Sequence, residues 1–96
     1  MTPLEKDIEK YLVRSVRHLG GLCLKWVCPG WSGVPDRIIL MPGGRVWFVE
    51  LKRPAGGKVS KLQKWWETTL QDLGFKHEYV YNHADARRLV ADLEEE

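Results

Sequence analysis

Residues 34–52 read Val-Pro-Asp-Arg-Ile-Ile-Leu-Met-Pro-Gly-Gly-Arg-Val-Trp-Phe-Val-Glu-Leu-Lys, and this stretch decides the fold. Residues 37–41 are a short apolar run with strand composition, Pro42-Gly43-Gly44 supplies a turn, and 45–52 form a second strand, so the pair predicts a β-hairpin. The run Val46-Trp47-Phe48-Val49 is continuously apolar, as in a strand buried on both faces. If the turn closes the hairpin, residues near 38 lie opposite residues near 49, which brings Asp36 beside Glu50 or Leu51.

Working outward, residues 29–35 (PGWSGVP) are a loop, because two Pro and two Gly in seven positions interrupt any regular structure. Before it, 22–28 (LCLKWVC) predicts a strand. Earlier still, Leu4, Ile8, Leu12, Val16 and Leu19 recur at helical spacing, with Thr2 as N-cap and Pro3 in the first turn. On the other side, 54–57 is a Pro/Gly-rich loop. Ser60 and Gln63 have the spacing of a capping box. Leu62, Trp66, Leu70 and Leu73 then line one helix face, with Gly74 ending it. Residues 75–81 predict a fourth strand, and a last helix over 84–93 turns Leu89, Val90 and Leu93 inward. The order is αβββαβα in one domain, 1–96. An antiparallel hairpin followed by a right-handed helical crossover gives a mixed sheet covered by helices, an α/β or α+β domain.

Composition sets the function classes that remain open. The chain has 96 residues, 44% hydrophobic, with five Trp, enough for one core. No apolar run approaches the roughly 18 residues of a membrane span, and the charged N-terminus is unlike a signal peptide. A soluble, cytoplasmic protein with no membrane partner is the expectation. Cys23 and Cys28, at odd separation on one expected strand, point to opposite faces and predict reduced, buried thiols; no zinc spacing accompanies them. The net charge is +2, of which Asp92, Glu94, Glu95 and Glu96 contribute −4, leaving +6 on the rest. A basic body with an acidic tail is compatible with a polyanionic partner.

The chemistry collects at the end of the buried strand. Glu50 and Lys52 sit two residues apart and share a face. Burying either charge costs several kcal/mol unless it is paired or metal-bound. With Asp36 alongside, two carboxylates and one ammonium converge, a set suited to a hard divalent cation such as Mg²⁺, with lysine orienting or deprotonating water or stabilising phosphate charge. The plainer alternative is a solvated Glu-x-Lys pair on an edge, with Asp36 a turn residue.

Val34-Pro35-Asp36, thirteen residues, then Glu50-Leu51-Lys52 resembles the PD-(D/E)xK nuclease signature. More closely, the chain resembles the virus-type replication-repair nuclease (VRR-NUC) domain. Glu-x-x-Ile on the first helix, Gly-Val-Pro-Asp-Arg, the Gly-Gly turn, Phe-Val-Glu-Leu-Lys and Leu-Gln on the next helix follow the family's order. The resemblance implies a restriction-endonuclease-like mixed sheet flanked by helices and an Mg²⁺- or Mn²⁺-dependent endodeoxyribonuclease. It implies that Asp36, Glu50 and the backbone carbonyl of Leu51 hold the metal and that Lys52 serves catalysis. Gln63 would support the metal or the phosphate, and a first-helix glutamate, Glu5 or alternatively Glu9, would join them. Stand-alone relatives are associated with branched DNA such as Holliday junctions and with phage genomes.

Arg53, Lys58, Lys61 and Lys64 follow the site and are candidates for phosphate contacts, as is Arg37, although Arg37 and Arg45 have acidic neighbours within reach. Trp31, in the loop before Asp36, is a candidate for stacking on a base or for anchoring its loop; Trp26, Trp47, Trp65 and Trp66 are expected in the core or an interface. Cutting two symmetric strands of a four-way junction needs two sites related by a two-fold axis, so a homodimer is expected. A catalytically silent DNA-binding module and a nuclease subunit of a larger complex are the alternatives.

Overall fold

The computed structural model describes residues 3–54 and 56–95. Its elements are α1 (Pro3–His18), β1 (Leu22–Lys25), β2 (Arg37–Met41), β3 (Arg45–Leu51), α2 (Lys61–Asp72), β4 (Lys76–Val80) and α3 (His83–Glu95). The expected order αβββαβα is present, and Pro3 opens α1. The N-cap expected at Thr2 lies outside the described residues. No described helix is long and apolar enough to cross a membrane.

The sheet order is β1-β2-β3-β4. β2 and β3 pair antiparallel with Arg37 opposite Val49 and Ile38 opposite Phe48, so the next position in register sets Asp36 against Glu50. β4 returns through α2 to run parallel to β3, with Glu50 opposite Tyr79. The mixed sheet therefore has the restriction-endonuclease-like arrangement.

Alternation along the strands sorts side chains into two layers. Cys23, Ile39, Met41, Trp47, Val49, Leu51 and Val80 face α1 and α3, where Ile8, Leu12, Val16, Ala86, Leu89 and Leu93 complete the main core. Phe48 faces the other way, under Trp66 and Leu70 of α2, with Trp26, Val34, Ile38 and Val46 around them. Glu50 shares the parity of Phe48, so the charged end of β3 lies on the α2 face.

Several expectations change in detail. β1 ends at Lys25, not Cys28, although Trp26 N–H still donates to Asp36 O at 3.0 Å. Pro35 has no N–H to extend the ladder on β2. Cys28 thus lies outside the strand and is half-buried, while Cys23 is buried; both are free thiols. On α2, Trp66 and Leu70 are buried but Leu62 and Leu73 are exposed. Leu73 is the C-cap, already leaving the helix, and Leu62 sits at the first turn, beyond the edge of the aromatic core. Trp47 and Trp66 are core residues and Trp26 is half-buried, whereas Trp65 is exposed.

Candidate active site

Glu50 is buried, 5% exposed, at the last hydrogen-bonded stretch of the central strand. Its Oε2 accepts from Gln63 Nε2 and lies 3.5 Å from Lys52 Nζ. Among the described residues its Oε1 meets no N–H or hydroxyl donor, and the Asp36 carboxylate is its neighbour. Burial, followed by the nearby negative charge of Asp36, pushes the Glu50 carboxyl up to about 7, against a smaller opposing pull from Lys52. A buried acceptor without a donor costs about 1–3 kcal/mol. The arrangement is unfavourable for the protein alone and favourable once a cation faces that oxygen.

Lys52 follows the strand, and its N–H donates to Val80 O at 2.9 Å, which holds the backbone to β4. Its ammonium donates to Lys58 O at 2.7 Å and Gln63 Oε1 at 2.5 Å, and the third direction faces Glu50. The connection between β3 and α2 is drawn back over Lys52 to make the first bond. A Cβ on Gly57 would lie 2.6 Å from Arg53 O and 3.2 Å from Lys52 Cβ, so glycine is what lets the backbone approach.

Gln63 links these groups to the helix start. Ser60 is the N-cap, its hydroxyl accepts from Gln63 N–H at 3.1 Å, and Gln63 Oε1 accepts from Ser60 N–H at 3.0 Å. The expected capping box is present, and the same amide bridges Lys52 and Glu50. Its orientation follows from its neighbours: the oxygen meets two donors and the nitrogen meets a carboxylate.

Asp36 Oδ2 accepts from Leu51 N–H at 2.9 Å. The side chain takes the place of the strand partner that Leu51 lacks beyond the end of β2. In a strand the N–H and C=O of one residue leave on the same side, so the Leu51 carbonyl is directed toward Asp36 as well. Two carboxylates, one with a buried oxygen that meets no donor among the described residues, and a nearby carbonyl form an all-oxygen donor set. Such a set fits a hard divalent cation, which typically takes one or two carboxylates plus waters and phosphate oxygens.

Asp36, Glu50, Lys52 and Gln63 are thus brought together. The first-helix glutamates do not join them in a cage: among the described residues no group of three or more His, Cys, Asp or Glu is placed to hold a metal. Glu9 instead pairs with Arg37, Oε2 to Nε at 2.8 Å, with both side chains about 15% exposed. Arg37 also donates to Cys23 O at 3.3 Å. Strand alternation sends Arg37 to the α1 face, away from Glu50, where its guanidinium ties β2 to α1 through Glu9. Arg53, Lys58 and Lys61 are exposed. Lys64 is exposed and pairs with Glu67 at 2.8 Å. Trp31 is 60% exposed, its ring edge-on to Trp66.

One neighbour was not expected from the sequence. Tyr79, opposite Glu50 on β4, donates its hydroxyl to Glu67 at 3.2 Å, beside the buried imidazole of His77. Burial and the adjacent carboxylate of Glu67 push the Tyr79 hydroxyl up to about 12, so it is a donor at neutral pH. Parallel register with β3 is the signal that places it there, and it follows only once the crossover is known.

No family model matches the sequence. The chain is 52% identical over 50 residues to a protein of Acyrthosiphon pisum secondary endosymbiont phage 1 described as "Putative nuclease p44", covering 52% of this chain and 54% of that protein. The match therefore spans about half the length of that relative. Among solved structures, the chain is similar to one described as "VRR_NUC domain", with a TM-score of 0.85 and 28% identity over 94% of this chain and 97% of that one.

Proposed function

We propose that this chain, a VRR-NUC domain, is a nuclease that hydrolyses phosphodiester bonds in DNA with the help of a divalent cation, Mg²⁺ or Mn²⁺. The observation that carries the reading is the buried Glu50 carboxylate set against that of Asp36, with no donor among the described residues on its Oε1. Both carboxylates would hold the cation, with the Leu51 carbonyl as a further donor. The cation would supply Lewis-acid polarisation of a phosphoryl oxygen and a more acidic bound water. Lys52 holds a positive charge at the place where negative charge grows on the phosphate, and Gln63 fixes both Lys52 and Glu50 in position. The similarity to a VRR_NUC structure and to a phage protein described as a nuclease supports the same reading.

The substrate proposed is branched DNA, with Holliday-junction cleavage by a homodimer as the specific form. A small domain with one site needs a two-fold partner to cut two symmetric strands. Exposed Arg53, Lys58, Lys61 and Lys64 would contact phosphates flanking the scissile bond. The experiment is incubation of purified protein with four-way, flapped and linear DNA, with Mg²⁺, with Mn²⁺ and with chelator. Metal-dependent cleavage that is lost in Lys52→Ala is expected. Equal processing by wild type and Lys52→Ala would remove the catalytic assignment.

A further inference from the structure

Beside the charged site lies an apolar one. Trp31, Leu62 and Trp65 are 60%, 44% and 48% exposed and line a cavity of about 290 Å³ with Gly30, Ser32 and Trp66. Trp66 forms its floor: the rings of Trp31 and Trp65 stand edge-on to it at 5.7 and 5.1 Å, at interplanar angles of 76° and 86°. The floor is fixed because Trp66 Nε1 donates to Ser32 O at 2.7 Å. The loop is held just as closely to α2 by Gly33, where a Cβ would meet Leu62 Cγ at 2.6 Å. Two exposed indole rings therefore border one apolar depression, which we call the Trp31–Trp65 slot. They are not covered by the core.

The slot and the candidate active site draw on the same two segments of chain, the loop before β2 and the first turns of α2. Leu62 precedes Gln63, with Cα atoms about 3.8 Å apart, and Trp31 lies on the loop that delivers Asp36. Lys61, the first residue of the same helix, and Lys58, in the connection just before it, are exposed. A planar aromatic ligand carrying a negative charge on a short tether fits this pairing of exposed indole rings with ammonium groups. Resting on the nuclease reading, we propose that the Trp31–Trp65 slot receives a single unstacked nucleobase of the DNA substrate and so selects strands with an unpaired base next to the cut. Lys58 and Lys61 take the adjoining phosphates. A base inside a continuous duplex cannot enter, because both of its faces are already stacked.

The test uses forked DNA with 2-aminopurine as the unpaired base at the branch, the same sequence fully paired, and full-length protein in chelator so that nothing is cut. Wild type is expected to quench the 2-aminopurine and to bind the fork about tenfold or more tighter than the duplex. Trp31→Ala and Trp65→Ala should each lose the quench and bring that ratio toward one, and Trp31→Phe should restore much of both. If wild type cleaves DNA with metal but the fork preference is unchanged in both alanine variants, the slot is overturned and the nuclease reading stands. If a Trp31-dependent quench is present but no DNA is ever cleaved, the slot stands and the nuclease reading falls. Conversion of a wild-type dimer into monomer by Trp31→Ala in sedimentation, without loss of the quench, would make the slot a protein interface and overturn the proposal.

Discussion

Replacing Glu50 by Gln should make the metal-free protein more stable at pH 8, although it removes the central carboxylate. Burial and Asp36 raise the Glu50 carboxyl from 4.5 to about 7. An acid with a raised folded-state value binds its proton more tightly when folded, so stability falls as pH rises between those two values and stays reduced above about 7. At about 1.4 kcal/mol per tenfold change in proton affinity, the ceiling on this loss is about 3 kcal/mol. Water entering the open side of the site lowers it, and about 1–3 kcal/mol is expected. In Glu50→Gln the introduced amide can still accept from Gln63 Nε2 through its carbonyl while its NH₂ faces Asp36, so the variant keeps the packing and sheds the charge. The assay is urea unfolding of both proteins in chelator from pH 4.5 to 8.5. Wild type should lose stability across that window relative to Glu50→Gln, and the difference should shrink when Mn²⁺ is added at pH 8, because a ligand of the native state stabilises it. Parallel pH profiles for the two proteins would refute the account of Glu50 as a strained, buried carboxylate.

Arg37→Ala should destabilise the protein by about 1–3 kcal/mol in denaturant unfolding, since it leaves Glu9 without its guanidinium in a mostly buried position; its affinity for DNA should stay within about twofold of wild type. Gly57→Ala should push the backbone off Arg53 O and release Lys58 O from Lys52, lowering cleavage by at least tenfold and speeding proteolysis between β3 and α2. Lys58→Ala and Lys61→Ala should each reduce the slope of log affinity against log salt by about 1. The Cys23 thiol, pushed up to about 11 by burial, should resist alkylation at pH 8 under conditions in which Cys28 reacts, as mass spectrometry of the native protein would report.

The hairpin and the convergence of its ionisable side chains were readable in the sequence because a short turn fixes register and alternation fixes face. Asp36, Glu50 and Lys52 follow from those two rules, and Ser60 with Gln63 follows from capping. What was not readable depends on how whole elements tilt and where backbone carbonyls point. The bond from Lys52 to Lys58 O uses an atom every residue carries, so no residue type announces it. The pairing of Arg37 with Glu9 needs α1 laid across β2, a contact 28 residues apart in sequence. Helical spacing puts Leu62 on the inner face and Trp65 is expected in the core or an interface, but of the described α2 residues only Trp66 and Leu70 are buried against the sheet.

Gln63 carries two duties through one amide, closing the first turn of α2 and bridging Lys52 to Glu50. Helix ends are the first parts of a fold to fray as temperature rises, well before cooperative melting. Each time that turn opens, the bridge dissolves with it and Glu50 and Lys52 lose their spacer. Activity should therefore decline with heating along the population of an open helix terminus, and recover on cooling, at temperatures where the sheet and the main core are still intact.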